Sequence, residues 1–402
     1  MSSNLAETVQ AKLQDACSDP TTKIPGLILA IADKQGKLLT HSAAGIRQVG
    51  SQEKMDEDML CWMASCTKLI TVIAALQLVE QGKLQLQSPI HDVLPEIKEL
   101  EKGYKTPITL HHLITHTAGM SYPFFNHDTK KWFEERGLTS FGCKKASIMG
   151  PLNAEPGSRW EYGCAIDWAG LAVEKVSGMD LDAYFKKHIF EPLGIKNMTL
   201  KPQSGLPGNK PVGPHLAGMN FRDESKGGKV VAQPHVIEED ESKIEILYGG
   251  AGAYGNAAEY VQILVALLND GKHPKTGNAI LKPESAQLLF KDQLDDKLVK
   301  DLYRLIPGAI PELSNDVDMP GDPKNWTYGG LKMYTSAAKD HYLVWWAGIA
   351  NHYWFINHEM GIAAMIQAQV FPFNDPQIGG LFFGDISNAI QQHVMGGGAS
   401  SA

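Results

Sequence analysis

Apolar residues follow two regimes along this chain. Near both ends they run in short, almost unbroken stretches, and through the middle they recur at helical spacing. The stretch PGLILAIAD (25–33), the turn KQG and the stretch KLLTHSAAG predict a β-hairpin. Three further strand-like runs lie near the other end: HYLVWWAG (341–348), HYWFINH (352–358) and GIAAMIQAQVF (361–371). Their short connections predict antiparallel neighbours. The closing segment GGLFFGDISNAIQQHV reads as a terminal helix. From Ser65 to about residue 270 the spacing is helical, as in Leu69 to Val79, LHHLITH (110–116), DWAGLAVEKVSG (167–178) and AAEYVQILVALLND (257–270). These patterns predict an α/β (α+β) fold, in which an antiparallel sheet drawn from both chain ends is flanked by helices and carries a mainly helical inserted region. The sheet part is expected over about 1–64 and 271–402 and the helical part over about 65–270. No repeat or long linker divides the chain, so one domain over 1–402 is expected.

Composition narrows the function. Hydrophobic residues make up 43% of the 402 residues and charged residues 20%, enough for a sizeable core. The net charge of −8 and the absence of a long basic block argue against nucleic acid or a membrane surface as partner. The longest apolar run, LITVIAAL, is too short to span a bilayer. The N-terminal stretch MSSNLAETVQAKLQDACSD reads as an amphipathic helix rather than a signal peptide. Five cysteines, with no Cys-x-x-Cys pair, fit a reduced cytoplasmic protein better than a disulfide framework or a structural zinc site. His112 and His116 have metal-ligand spacing, but no third ligand accompanies them, and neither a metal nor a cofactor is expected.

One short motif carries candidate chemistry. Ser-x-x-Lys occurs three times, at Ser51/Lys54, Ser65/Lys68 and Ser336/Lys339, so the pattern alone has little weight. The first and third lie in short polar segments. Only Ser65 opens a helix that is apolar on nearly all faces, as a core-buried helix would be. Positions i and i+3 share a helical face, so Ser65 and Lys68 can hydrogen-bond. Free N–H groups and partial positive charge at the helix start would favour an alkoxide on Ser65 and a neutral amine on Lys68. The competing reading is a capping serine with a lysine that snorkels to solvent.

A second stretch shifts this balance. PGSRWEYGCAIDWAGLAVEKVSG has a turn at Pro156-Gly157, then Trp160 and Tyr162, then an apolar helix. It resembles the second motif of the class C β-lactamase and family VIII esterase superfamily. IPGLILAIADKQGKL, ITLHHLITHTAGMSY and YGGAGAYGNAAEYVQIL are similar to further segments of that superfamily, in order, from about residue 24 to 375. THTAGMSY, YGCAIDWAG and FPFNDP look most like its fungal lovastatin acyltransferase branch. The resemblance implies a β-lactamase/transpeptidase-like fold and an acyl-enzyme on Ser65. Lys68 and Tyr162 would share the proton. The N–H groups of Ser65 and Ile349 would form the oxyanion hole, and Tyr122, Trp346 and Gly348 would contact substrate. Trp345, on the opposite side of the strand from Trp346, reads as core.

The chain departs from the β-lactamases at two places. Tyr162 is followed by Gly163 and Cys164, so the asparagine of Tyr-x-Asn is missing. The Lys-Thr-Gly at 275–277 lies in a polar loop between helices, and the late strand carries Trp346-Ala347-Gly348 instead. These losses point away from β-lactams and towards a small, fairly apolar ester or thioester. The partners implied are a small-molecule acyl donor, an alcohol or water acceptor, and an acyl carrier protein as a candidate thioester donor, with a monomer sufficing. The alternatives are an amidase, D-peptidase or β-lactamase, and a non-catalytic binding protein on the same fold.

Overall fold

A computed structural model describes residues 5–336 and 338–397. Its main sheet has seven strands in the order β2-β1-β11-β10-β9-β8-β7, and every pairing is antiparallel. The hairpin near the N-terminus supplies β1 (Gly26–Asp33) and β2 (Leu38–Gly45). The later part of the chain supplies β7 (Lys324–Trp326), β8 (Leu331–Tyr334), β9 (Tyr342–Gly348), β10 (His352–Asn357) and β11 (Ile362–Gln367). Leu27 to Ala32 of β1 are all fully buried. Successive side chains of a strand point to opposite faces, so both faces of the sheet are covered there. The helix Ala257–Leu268 packs on β1 and β11, and the helix Leu5–Ala16 packs on β2.

The buried helix expected after Ser65 is present. In the helix Thr67–Glu80 every residue from Thr67 to Leu78 is buried, against the helix Ala165–Ser177 among others. The closing segment is helical, as a π turn (Gly380–Ile386) running into an α-helix (Ser387–Gly397). The sheet is larger than its apolar runs suggest. The chain at 324–334, KNWTYGGLKMY, is polar and glycine-rich, yet it forms the hairpin β7–β8. Lys324 and Lys332 are buried in it because their ammonium groups reach the carbonyls of Met319 and Phe290.

The centre of the chain also holds strands. β4 (Asn220–Asp223) and β5 (Lys229–Ala232) form a hairpin, with β12 (Val370–Phe371) parallel to β4. Its turn runs through Gly227 and Gly228, both at positive φ, which glycine adopts without a steric penalty. β3 (Cys61–Trp62) pairs with β6 (Tyr254–Gly255) directly before Ser65. That pairing ties the turn that carries Ser65 to the segment 249–253. Among the described residues no helix is long and apolar enough to cross a membrane.

Candidate active site

Ser65 sits in a single 3₁₀ turn, Ala64–Cys66, that runs into the helix Thr67–Glu80. Ala64 is held at φ 46°, a left-handed conformation that costs a side-chain-bearing residue about 1–2 kcal/mol. The turn is braced by main-chain bonds to the segment 249–253. The Met63 N–H donates to the Ala253 carbonyl at 2.8 Å, the Trp62 indole to the Ala251 carbonyl at 2.7 Å, and the Ala253 N–H to Thr67 Oγ1 at 3.0 Å. Ser65 makes no capping bond. Its hydroxyl instead lies 3.0 Å from Lys68 Nζ.

Lys68 is 5% exposed and does not snorkel. Its Nζ has two further partners, the Gly250 carbonyl at 2.8 Å and the Tyr122 hydroxyl at 3.0 Å. A carbonyl only accepts, so one N–H is committed to Gly250. An ammonium would donate to all three oxygens. A neutral amine would donate to Gly250 and Tyr122 and turn its lone pair to the Ser65 O–H.

Tyr162 approaches Lys68 differently. Nζ lies 4.8 Å from the centroid of its ring, in cation–π range. The Tyr162 hydroxyl accepts from Trp346 Nε1 at 3.0 Å, and the His116 ring packs 4.6 Å from the Tyr162 ring. His116 is fully buried, and burial holds its imidazole well below the ordinary range, so it is neutral. Its neighbour in sequence, His112, closes a capping box with Thr109 at the start of the helix Leu110–Ile114.

Asp167 is a carboxylate that the motif reading did not single out. It is 2% exposed, on the helix Ala165–Ser177, and its Oδ1 accepts from the Gly250 N–H at 2.8 Å. Gly250 therefore joins Asp167 through its N–H to Lys68 through its C=O. A Cβ at Gly250 would stand 2.7 Å from the Asp167 carboxylate, so only glycine allows this approach. Burial pushes the Asp167 carboxyl up to about 6, opposed by the positive charge of Lys68. The signal available in sequence was an acidic residue amid the apolar positions of AIDWAGLAV.

β9 delivers the remaining groups. Gly348 ends it against the turn that carries Ser65, where a Cβ would meet the Met63 carbonyl at 2.6 Å. Ile349 follows and lines the same cavity as Ser65, Tyr122, Tyr162 and Trp346. Trp345 lines it too. It is 6% exposed and packs on Phe383, but its ring lies 5.9 Å from that of Trp346, so strand alternation did not separate the two indoles. Phe124, Phe125, Phe141, Ile306, Val317 and Met319 form much of the cavity wall. Among the described residues no charged side chain lines it. Cys164, at the place of the missing asparagine, is buried, and burial pushes its thiol up to about 12. Lys275, Thr276 and Gly277 lie in an exposed loop and take no part in the cavity.

Comparison with known proteins agrees with this architecture. The family model for Beta-lactamase matches residues 5–380. Monacolin J acid methylbutanoyltransferase of Aspergillus terreus is 27% identical over 380 residues, covering 88% of each chain. Lovastatin esterase of Penicillium rubens is 32% identical over 293 residues, covering 68% of this chain and 70% of that protein. Simvastatin synthase of Aspergillus terreus, in a mutant form, superposes with a TM-score of 0.76 at 24% identity, covering 97% of this chain and 94% of that one. The fold is thus the β-lactamase/transpeptidase-like one that the motifs implied. The relatives are acyltransferases and esterases, and the chain is an enzyme of the transesterase or hydrolase type. With the family model spanning nearly its whole length, the chain belongs to the beta-lactamase family.

Proposed function

We propose that this enzyme is a serine esterase or acyltransferase that works through an acyl-enzyme on Ser65. The observation that carries this reading is the buried Ser65–Lys68 pair, 3.0 Å apart, opening into an apolar cavity. Lys68, as the neutral amine, takes the Ser65 proton while Oγ attacks the acyl carbonyl. Tyr162, whose ring centroid lies 4.8 Å from Nζ and whose hydroxyl accepts from the Trp346 indole, shares that proton with Lys68. The N–H groups of Ser65 and Ile349 receive the oxyanion.

The cavity wall favours a small, fairly apolar acyl group, and among the described residues no cation lines it to hold the carboxylate of a β-lactam. The acceptor is water or a small-molecule alcohol, and a thioester on an acyl carrier protein is a candidate donor. A single-chain domain acting as a monomer suffices for this chemistry. The five unpaired, buried thiols suit a reducing compartment such as the cytoplasm.

The test is to incubate the protein with p-nitrophenyl esters of graded chain length, with nitrocefin, and with acyl thioesters plus candidate alcohols. Ester turnover and an acyl adduct by intact mass, both lost in Ser65→Ala, are the expected result. An adduct that persists in Ser65→Ala overturns the nucleophile, and nitrocefin turnover at a comparable rate overturns the ester reading.

A further inference from the structure

Resting on that reading, we infer that His352 is a positioning residue for the oxyanion hole: its side chain ties the end of β9, which leads into Ile349, to the turn that carries Ser65.

The two N–H groups of the proposed hole come from distant parts of the chain. Ser65 follows β3, and Ile349 follows β9. Two donors can stabilise one oxygen only if the spacing between them is held. The bonds that brace the Ser65 turn against the segment 249–253 do not involve β9.

His352 joins the two sides. It is the first residue of β10 and stands opposite Gly348, the last residue of β9, in the register of the sheet. Its main chain therefore belongs to the hairpin that presents Ile349. Its ring reaches the other side, where Nε2 lies 2.9 Å from the carbonyl of Trp62, three residues before Ser65. The ring also lies beside Gly348, where an added Cβ would meet His352 Cδ2 at 3.1 Å. The hairpin turn is itself anchored by Asn351, whose amide donates to the Val370 and Pro372 carbonyls at 2.8 Å.

The hydrogen bonds fix the tautomer. Nδ1 accepts from the Ala368 N–H at 3.2 Å, so the ring proton is on Nε2. Nε2–H donates to the Trp62 carbonyl, with the Gln369 amide oxygen as a second acceptor at 3.1 Å. His352 is fully buried, and burial pushes its imidazole down to about 4, so the ring is neutral at neutral pH and Nδ1 stays an acceptor. His352 does not line the cavity, so it acts through Trp62 and Gly348 rather than on the substrate.

The experiment compares His352→Gln with His352→Asn. The Gln amide nitrogen comes close to the place of Nε2 and can still donate to the Trp62 carbonyl, whereas the shorter Asn amide reaches only the place of Nδ1. Each variant is assayed for kcat/KM on an oxoester and on the thionoester of the same acyl group and alcohol. A C=S group is longer than C=O and a weaker acceptor, so the ratio of the two reports the oxyanion hole and is independent of the fraction of folded protein. His352→Asn is expected to lower kcat/KM for the oxoester by about 30-fold and the oxoester/thionoester ratio by about tenfold, with His352→Gln within about threefold of wild type on both. Equal losses on both esters in His352→Asn would mean a merely structural role and overturn the assignment, as would a Gln variant that falls as far as the Asn one. An acyl adduct in the wild-type protein, absent in Ser65→Ala by intact mass, separates this outcome from failure of the acyl-enzyme reading. With that adduct present and the ratio unmoved in His352→Asn, this inference alone falls. Without the adduct, the reading falls and takes the inference with it.

Discussion

The indole N–H of Trp346 donates to the hydroxyl of Tyr162 at 3.0 Å. Trp326 meets the same indole edge-on at 4.5 Å, so the donor is held from behind. Tyr162 is in turn the ring face that Lys68 points at. A neutral N–H thus orients the tyrosine at a strand position where β-lactamases of the resembling class carry the lysine of Lys-Thr-Gly.

Trp346→Phe keeps an aromatic ring, though a smaller one, and removes the donor. A neutral hydrogen bond of this kind contributes about 1 kcal/mol, with a further penalty for an unsatisfied buried hydroxyl. The expected outcome is a fall in kcat/KM of about 5- to 30-fold, with the melting temperature changed by only a few degrees. An unchanged kcat/KM would show that the bond does not orient Tyr162 for catalysis.

Lys68→Arg separates charge from basicity. The guanidinium keeps a cation near Ser65 but does not deprotonate at neutral pH. Acylation of Ser65 is expected to slow by about 10³-fold or more, read as adduct formation by intact mass. Near-normal acylation in this variant would mean that Lys68 acts through its field and not as a base.

Gly348→Ala tests the approach of β9 to the turn that carries Ser65. The added Cβ would lie 2.6 Å from the Met63 carbonyl and 3.4 Å from the Ala64 Cβ, and the nearer of these is backbone. Such overpacking costs about 1–3 kcal/mol. The displacement falls on the turn that presents Ser65, so ester turnover is expected to drop more than thermal stability does. A variant with full activity would show that the turn tolerates the shift.

Asp167 gives the protein a pH signature in stability. Its folded carboxyl titrates near 6 against an ordinary value of 3.8. Between those values the folded state binds more protons than the unfolded one, so stability contributed by the protonated carboxyl is fully present below about 3.8 and is lost as pH rises through about 6. Relative to Asp167→Asn, the wild-type protein should lose about 3 kcal/mol of unfolding free energy across that window. Parallel denaturant melts at several pH values measure it, and a flat difference would mean that Asp167 is ionised throughout the window.

How much of this was legible in the sequence depends on the range of the interaction. β1, with six consecutive fully buried residues, and the helix after Ser65 announce themselves because burial on all sides leaves an unbroken apolar run. The Ser65–Lys68 contact is also local, three residues apart on one helical face. The partners of Lys68 are not local. Tyr122 is 54 residues away and Gly250 is 182, and no periodicity connects them. Nor does any local pattern mark Ile306, Val317 and Met319 as a cavity wall, since they reach it from a loop region with little regular structure. The hairpin β7–β8 escaped notice because its buried lysines are satisfied by carbonyls that only the folded chain brings near.

The bracing of the Ser65 turn by the segment 249–253 uses main-chain groups on the bracing side for every bond named above. Ala251 belongs to this segment, gives its carbonyl to Trp62, and lines the cavity. Its share of the bracing is main-chain only, so larger side chains at position 251 are expected to narrow the cavity while leaving in place the hydrogen bonds that hold the Ser65 turn.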